Sequence, residues 1–274
     1  MADSLERRIA ARMDALGRAD LIRTLRAPWG VDLSSNDYLT LARHPRLKDE
    51  MIAAVRAEGC GSTGSRLLRG ERDRFAALEQ RFAAFKQTDR SLYFSSGYLA
   101  NVAVMTALPE AGDVIFSDER NHASLIDGVR LSAARRDVFP HNDVDALAQR
   151  LEDHRGGQAF IVVESLFSMD GDAAPLAAYA ALCRATGAAL IVDEAHAVGV
   201  YGARGSGLVE ACGVGADVLV TINPAGKALG VGGAFVAGPS WAVDYLIQRA
   251  RPFIFSTASL MVTSAPSFRF AAGA

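Results

Sequence analysis

Lys227 lies in the run Asn-Pro-Ala-Gly-Lys-Ala-Leu-Gly-Val-Gly-Gly, directly after the apolar run DVLVTI, with glycines at 226, 230, 232 and 233 around its single amine. A lysine at the end of a buried strand, partly shielded from water, has a lowered pKa and can work as an amine nucleophile. A solvated surface lysine is the alternative. Asp193 closes the run ALIVD ahead of Glu194, Ala195 and His196. A carboxylate placed there needs a cationic or donor partner, or it takes up a proton. Its partner is either a ligand's protonated ring nitrogen or the N–H groups of a turn that it caps. Ser95-Ser96-Gly97-Tyr98-Leu99-Ala100-Asn101 joins an apolar run to a helical pattern. Serine and glycine at such a turn leave backbone N–H groups at a helix N-terminus. That is a site for a phosphate, or an ordinary N-cap. His122, in Asn-His-Ala-Ser-Leu-Ile-Asp-Gly, follows the run VIFSD, and its flat ring can stack on an aromatic ligand or cap the next element. Ser168, in Glu-Ser-Leu-Phe-Ser-Met-Asp-Gly, follows an apolar run in the same way.

Taken together, these groups place a phosphate cradle, a stacking histidine, a carboxylate and an amine after four apolar runs. Pyridoxal phosphate uses all four: donors for its phosphate, a carboxylate for its ring nitrogen and a lysine for its aldehyde. The letters Asp-Glu-Ala-His at 193–196 also spell a helicase box, which requires an upstream G-x-x-x-x-G-K-[ST]. Here Gly226-Lys227 lies downstream, with Thr221 in place of the first glycine and Ala228 in place of the hydroxyl. No G-x-G-x-x-G follows the 92–95 run either, so no dinucleotide fingerprint is present there.

The elements that must position these groups alternate. Strands are expected at 92–95, 114–117, 160–164, 189–193, 218–222 and 234–237, with amphipathic helices at 71–86, 143–153 and 175–186 between them. Leu78, Phe82 and Phe85 recur at helical spacing. This alternation predicts an α/β fold: a mostly parallel central sheet with helices on both faces. IVVES and ALIVDEA are apolar at consecutive positions, as in strands covered on both sides, and turn polar where open α/β sheets bind ligands. The first 45 residues read as an N-terminal helical arm, with a second helix starting near Pro45. Residues 59–70, GCGSTGSRLLRG, form a glycine-rich loop between helices.

The 274 residues are 50% hydrophobic and 22% charged, which excludes a disordered chain. Net charge is −2, with no electrostatic footprint for nucleic acid or an anionic membrane. No apolar run approaches the ~18 residues of a membrane span, and the N-terminus lacks a signal peptide's apolar core. Cys60, Cys183 and Cys212 form no metal spacing with the five histidines. The expectation is reduced thiols, no metal and a cytoplasmic location.

SSNDYLTL, GCGSTGSRLLRG, FSSGYLANVAV, NHASLIDGVRLS, SLFSMDGDAAPL, VDEAHAVGVYGARGSG and GKALGVGGAFVAG occur in this order between about residues 20 and 258. With them the sequence resembles the α-oxoamine synthases, fold-type-I pyridoxal-phosphate enzymes of the aminotransferase class I/II superfamily. Its likeness is greatest to the biotin-pathway branch. The resemblance implies a pyridoxal-phosphate-dependent acyltransferase that condenses an amino acid with an acyl thioester, with decarboxylation to an α-oxoamine. In the biotin branch the substrates are L-alanine and pimeloyl-CoA or a pimeloyl carrier protein. Other branches use glycine or serine.

Residue by residue, the resemblance assigns Lys227 as the Schiff-base lysine, Asp193 as the partner of the ring nitrogen and His122 as the stacking ring. Ser96, Gly97 and Tyr98 match the phosphate-side loop. Ser168 and His196 match groups near the ring's phenolic oxygen. Asn36 and Arg23 match groups near the amino-acid carboxylate. Ser256 and Thr257 match a segment that reaches the phosphate of the other subunit, in a homodimer with active sites at its interface.

Two departures stand out. The family's Ser or Thr three residues before the lysine is Pro224 here, which offers neither hydroxyl nor N–H. Thr221 or Asn223 is the expected substitute. The resemblance also stops near Ala258, where family members continue into a small C-terminal domain carrying a carboxylate-gripping arginine. The expected organisation is an arm over 1–45, a cofactor-binding large domain over 46–258 and an irregular tail over 259–274, in a truncated chain. A truncated, cofactor-binding remnant with little or no activity is the alternative reading.

Overall fold

The structure, a computed structural model, describes residues 2–259. The chain divides into two units at Ser35/Asn36, ten residues before the expected end of the arm. In the first unit, α1 (Ala2–Arg18) carries Leu5, Ile9, Met13 and Leu16 at helical spacing along one exposed face. The chain turns after it, with Leu21 N–H bonded to the Leu16 carbonyl. It then runs without regular structure, where Asp32 Oδ1 accepts from the N–H groups of Ser34 and Ser35.

In the second unit, α2 (Pro45–Glu58) opens on a proline, whose fixed φ and missing N–H suit the first helical turn. It is followed by α3 (Asp73–Lys86), β1 (Arg90–Phe94), α4 (Gly97–Ala107), β2 (Val114–Asp118), α5 (Ala123–Leu131), β3 (Arg135–Phe139), α6 (Val144–Asp153), β4 (Ala159–Glu164) and α7 (Leu176–Thr186). The chain continues through β5 (Ala189–Asp193), α8 (Leu208–Ala211), β6 (Val218–Pro224), β7 (Ala234–Gly238), α9 (Ser240–Arg249) and α10 (Arg251–Ile254).

The strands form a seven-stranded sheet ordered β1-β7-β6-β5-β4-β2-β3. β7 is antiparallel to both of its neighbours, and every other pairing is parallel. The consecutive apolar residues of the central strands divide between two layers, as a sheet covered on both faces requires. Phe160 and Val162 pack with Ala100 and Val104 of α4 and Leu246 of α9. Ile161 and Val163 point the other way, toward Leu147 of α6 and Tyr179 of α7. A third cluster joins Phe75, Leu78 and Phe82 of α3 to Tyr93 and Phe235, with the Phe82 and Phe235 rings stacked 4.1 Å apart.

Two strands differ from expectation. β3, Arg-Arg-Asp-Val-Phe, has no apolar alternation to signal it. It is an edge strand with only Phe139 buried, formed by parallel pairing to β2. β6 extends past residue 222 because Pro224 still pairs with Ala234 on β7. The glycine-rich 59–70 loop is fixed by Arg66, whose guanidinium bonds Glu71 (2.6 Å) and Glu79 (2.5 Å) and lies 4.2 Å from the Phe75 ring.

A buried ion pair ties α3 to the end of β5. Lys86 Nζ bonds both Glu194 and the Ser206 carbonyl, with its side chain 3% exposed and that of Glu194 0%. Removing one partner of a buried pair leaves an uncompensated charge, which costs about 3–5 kcal/mol. Lys86→Ala is therefore expected to lower the unfolding free energy by about that amount in urea titrations. A loss below about 1 kcal/mol would mean that Glu194 is solvated in the folded protein.

Candidate active site

Because all strands but β7 run parallel, β1, β2, β4, β5 and β6 deliver their C-terminal ends to one edge of the sheet. A cavity of about 370 Å³ opens there. Its wall includes Ser96, Gly97 and Tyr98 after β1, His122 after β2, Glu164 ending β4, Asp193 ending β5, and Pro224 and Lys227 at and after β6. Asn36 lines it as well.

Asp193 is 3% exposed. Its Oδ2 accepts from Asn101 Nδ2 (2.7 Å) and its Oδ1 from the N–H of Ala195 (2.9 Å). Burial pushes its pKa up, and these hydrogen bonds with the charges of Lys227 and His122 oppose the shift. The next residue faces elsewhere: Glu194 continues the ladder through its N–H to the Ile222 carbonyl and sends its carboxylate to Lys86. A tight turn follows, with the N–H groups of Ala197 and Val198 on the Glu194 carbonyl, and it brings His196 back toward the cavity.

Lys227 is half-buried in the turn between β6 and β7, which closes through Ala225 N–H to the Gly233 carbonyl (2.8 Å). Gly233 has φ +96°, and a Cβ there would lie 2.2 Å from the Tyr93 hydroxyl, so this turn requires glycine. Burial lowers the Lys227 pKa, against the pull of Asp193 and Glu164. Its Nζ lies 2.7 Å from His196 Nε2, and Tyr38 OH lies 2.7 Å from Nδ1 of the same ring. Burial, Lys227 and His122 bring the His196 pKa down to about 4.

At the other end of the cavity, Ser96 caps α4, its Oγ accepting from Leu99 N–H (3.2 Å). The first N–H groups of α4 lack intrahelical partners by construction. Gly97 packs on the unusual proline: a Cβ at 97 would come within 2.6 Å of Pro224 Cγ. His122 caps α5. Its Nδ1 accepts from Ser124 N–H (3.2 Å) and lies 2.7 Å from Ser124 Oγ. Ser124 Oγ in turn accepts from Asn101 Nδ2 (2.8 Å), which links His122 to Asp193 through Asn101.

Several expected site residues lie off the cavity wall. Thr221 is buried in β6, with Oγ1 accepting from Asn223 Nδ2 (3.0 Å), so its hydroxyl is engaged inside the sheet. Ser168 is exposed in the turn after β4, and its backbone N–H acts on Glu164. Ser256 and Thr257 follow α10 and line a separate crevice with Arg66 and Ser95, held by Ala258 N–H to the Gly64 carbonyl (2.9 Å). Arg23 is exposed in the first unit. Of the expected tail, residues 260–274 lie outside the described residues.

Glu164, Asn101 and Ser124 were not singled out from the sequence. Glu164 had a visible signal, since IVVE ends in an acid just as ALIVD does. It is 2% exposed and pairs in register with Asp193. Burial first and Asp193 second push its pKa up to about 8. Glu164 Oε1 and Asn101 Oδ1 are buried without a hydrogen-bond partner. Among the described residues, no cluster of three or more His, Cys, Asp or Glu could hold a metal ion, and no helix is long and apolar enough to cross a membrane.

The sequence model of aminotransferase class I and II matches residues 29–266. The chain belongs to this family. It is 47% identical over 267 residues to an 8-amino-7-oxononanoate synthase of Geobacter sulfurreducens, covering 92% of this chain and 68% of that protein. It is 48% identical over 233 residues to one of Burkholderia pseudomallei, covering 84% and 59%. The chain thus spans about three-fifths to two-thirds of the length of the curated relatives it matches. Among solved structures, a serine palmitoyltransferase from S. paucimobilis with a bound PLP–myriocin aldimine superposes with a TM-score of 0.83. It is 26% identical and covers 94% of this chain and 69% of that one. The family's parallel sheet with helices on both faces is the architecture described above.

The position of Glu164 makes stability pH-dependent. In the unfolded chain it loses its proton near the ordinary 4.5, in the folded chain near about 8. Between those values only the folded state holds that proton. The contribution is complete below pH 4.5 and is lost as pH rises toward about 8. Glu164→Gln stays neutral throughout, so the drop in Tm of the cofactor-free protein between about pH 5 and pH 8 should shrink. An unchanged drop would show that Glu164 is ionised in the folded state.

Proposed function

We propose that this chain is a pyridoxal-phosphate-dependent acyltransferase of the α-oxoamine synthase type. It condenses L-alanine with a pimeloyl thioester, on CoA or a carrier protein, with loss of carbon dioxide. The observation that carries this reading is the convergence of the α4 N-terminus, His122, Asp193 and Lys227 on one cavity at a single sheet edge. The 47–48% identity to 8-amino-7-oxononanoate synthases supports the substrate assignment.

The residues present fit the cofactor. Asp193 is a buried carboxylate on the cavity wall that hydrogen-bonds neutral donors, so it can take a protonated ring nitrogen. Gly97 opens α4 at the cavity wall, with the Pro224 ring in the space a Cβ there would take. Asn101 Oδ1 and Glu164 Oε1 are buried polar atoms awaiting a partner. Once bound, pyridoxal phosphate supplies an aldehyde for the substrate amine and a cationic ring that draws electron density from its α-carbon.

Asp193 keeps the ring nitrogen protonated, and Asn101 holds Asp193 in place. His122 packs against the ring, oriented by Ser124. The N–H groups of Gly97 and Tyr98, with Ser96, receive the phosphate, since Pro224 offers no hydroxyl and Thr221 is engaged within the sheet. His196 and the turn bearing Ser168 serve the side of the ring's phenolic oxygen, and Asn36 the amino-acid carboxylate. Lys227 Nζ removes the α-proton as a base, a role eased by its lowered pKa. In a homodimer, Ser256 and Thr257 of one copy reach the phosphate held by the other. The free thiols Cys60, Cys183 and Cys212 suit the cytoplasm.

The wild-type protein mixed with pyridoxal phosphate should show the visible absorption of a lysine-held cofactor. L-Alanine should shift that band more than glycine or L-serine does. Borohydride should fix the cofactor on the peptide containing Lys227. Lys227→Ala should abolish the band and lower product formation at least ~10²-fold. Absence of the band in wild type overturns cofactor binding. A band that no amino acid shifts overturns the acyltransferase reading and leaves a cofactor-binding remnant.

A further inference from the structure

Pro140-His141-Asn142, the turn after β3, does not line the cavity, yet it carries a histidine held between two acids. Nδ1 of His141 lies 2.9 Å from Oδ1 of Asp118, which ends β2. Nε2 lies 2.7 Å from Oδ2 of Asp172, in the turn after β4. Both acids take further donors, as carboxylates do. Asp118 accepts from the N–H groups of Arg120 (2.8 Å) and Asn142 (2.9 Å), and Asp172 from Asn142 Nδ2 (2.7 Å). An ionised carboxylate only accepts, so each ring nitrogen carries a hydrogen and the ring is a cation. Burial pulls the His141 pKa down, and the hydrogen bonds and charges of Asp118 and Asp172 reverse this, so that it stands above the ordinary 6.5. The Phe167 ring packs against the imidazole, with centroids 4.4 Å apart. The other titratable groups around it are Glu119, whose Oε1 accepts from the His141 N–H (3.2 Å), and Arg120 and Asp170, which pair with each other across the two turns. Tyr179 of α7 completes the set, its hydroxyl feeling the charges of Asp118 and Asp143.

The two acids belong to the two turns that carry His122 and Ser168. Asp118 organises the first: its carbonyl accepts from Asn121 N–H (3.2 Å), directly ahead of His122. Asp172 closes the second, its carbonyl accepting from Phe167 N–H (2.9 Å), next to Ser168. The backbone N–H groups of His122 and Ser168 then act on one carboxylate, Glu164, at the cavity wall. Asn142 spans the same two acids from a left-handed conformation, φ +55°, which asparagine tolerates. We propose that His141 is a positioning residue: by bridging Asp118 and Asp172 it ties these two turns together and holds the backbone of His122 and Ser168 at the Glu164 end of the cavity. Its bearing on a bound cofactor rests on the proposed function, in which both turns face the ring. Loss of one hydrogen from the imidazole leaves one acid without its donor and frees the turn that acid belongs to.

The test uses NMR of the full chain, first without cofactor. In the imidazole ¹⁵N spectrum at pH 7, wild type should show both nitrogens of His141 protonated, the signals being assigned through His141→Gln. Asp172→Asn keeps an acceptor but loses its charge, and there the pH midpoint of the ring should fall by about one unit. In amide hydrogen exchange, His141→Gln should lower the protection of Arg120, Phe167 and Gly171 at least ~10-fold and leave β4 and β5 unchanged. Wild type should show the same local loosening as pH rises through the His141 midpoint. With pyridoxal phosphate added, the dissociation constant should rise on the order of tenfold in His141→Gln. A neutral His141 in wild type at pH 7 overturns the inference. So does exchange that is unchanged, or raised evenly across the sheet as a merely structural histidine would give, and so does an unchanged dissociation constant beside loosened turns. If His141→Gln does not fold, Asp172→Asn, at a partly exposed side chain, decides by the same exchange readings. Failure of wild type to bind the cofactor would sink the proposed function and leave the ring and exchange results to decide the inference.

Discussion

A carboxylate buried at the end of a parallel strand is the constraint around which this molecule is arranged. Asp193 has almost no contact with water. An isolated ion in that position would take up a proton, so the surrounding structure has to supply donors. It does so from three directions. Asn101 reaches down from the second turn of α4, Ala195 contributes its N–H from the turn after β5, and Lys227 contributes charge from across the cavity. Each depends on something larger. Asn101 is placed by α4 packing on the sheet, the turn after β5 by Glu194 anchored on Lys86, and Lys227 by the glycine turn closing against Tyr93. The site is therefore the place where the packing of three elements must agree.

Much of this was legible in the sequence because the strands advertise themselves. IVVE and ALIVD are apolar at consecutive positions, which only a doubly covered strand tolerates, and their polar ends mark the binding edge. What sequence order cannot express is lateral placement. Glu164 and Asp193 are neighbours because β4 and β5 pair in register, and nothing local to either run states that pairing. Ser124 and Asn101 meet because α5 lies beside α4. Tyr38 and His196 are 158 residues apart in sequence. β3 escaped notice for a different reason. An edge strand with one buried residue has no hydrophobic pattern to display.

Pro224 shows how a departure from the family pattern is absorbed locally. A proline in a strand is tolerated where its missing N–H breaks no ladder bond, as at the end of β6. There its ring fills the space that a side chain at position 97 would occupy, so Gly97 and Pro224 form a complementary pair at the cavity wall. The hydroxyl that the proline removes is not restored by Thr221, which is turned into the sheet. On the proposed function, a bound phosphate would then rely on the backbone donors at the start of α4.

On the proposed function, Asp193 holds a positive charge on a bound ring. The most direct measurement is the ¹⁵N chemical shift of the ring nitrogen in labelled pyridoxal phosphate bound to the protein, compared between wild type and Asp193→Asn. The account predicts a protonated ring nitrogen in wild type and a bare one in the variant. A bare nitrogen in wild type, or a protonated one in both proteins, would contradict it.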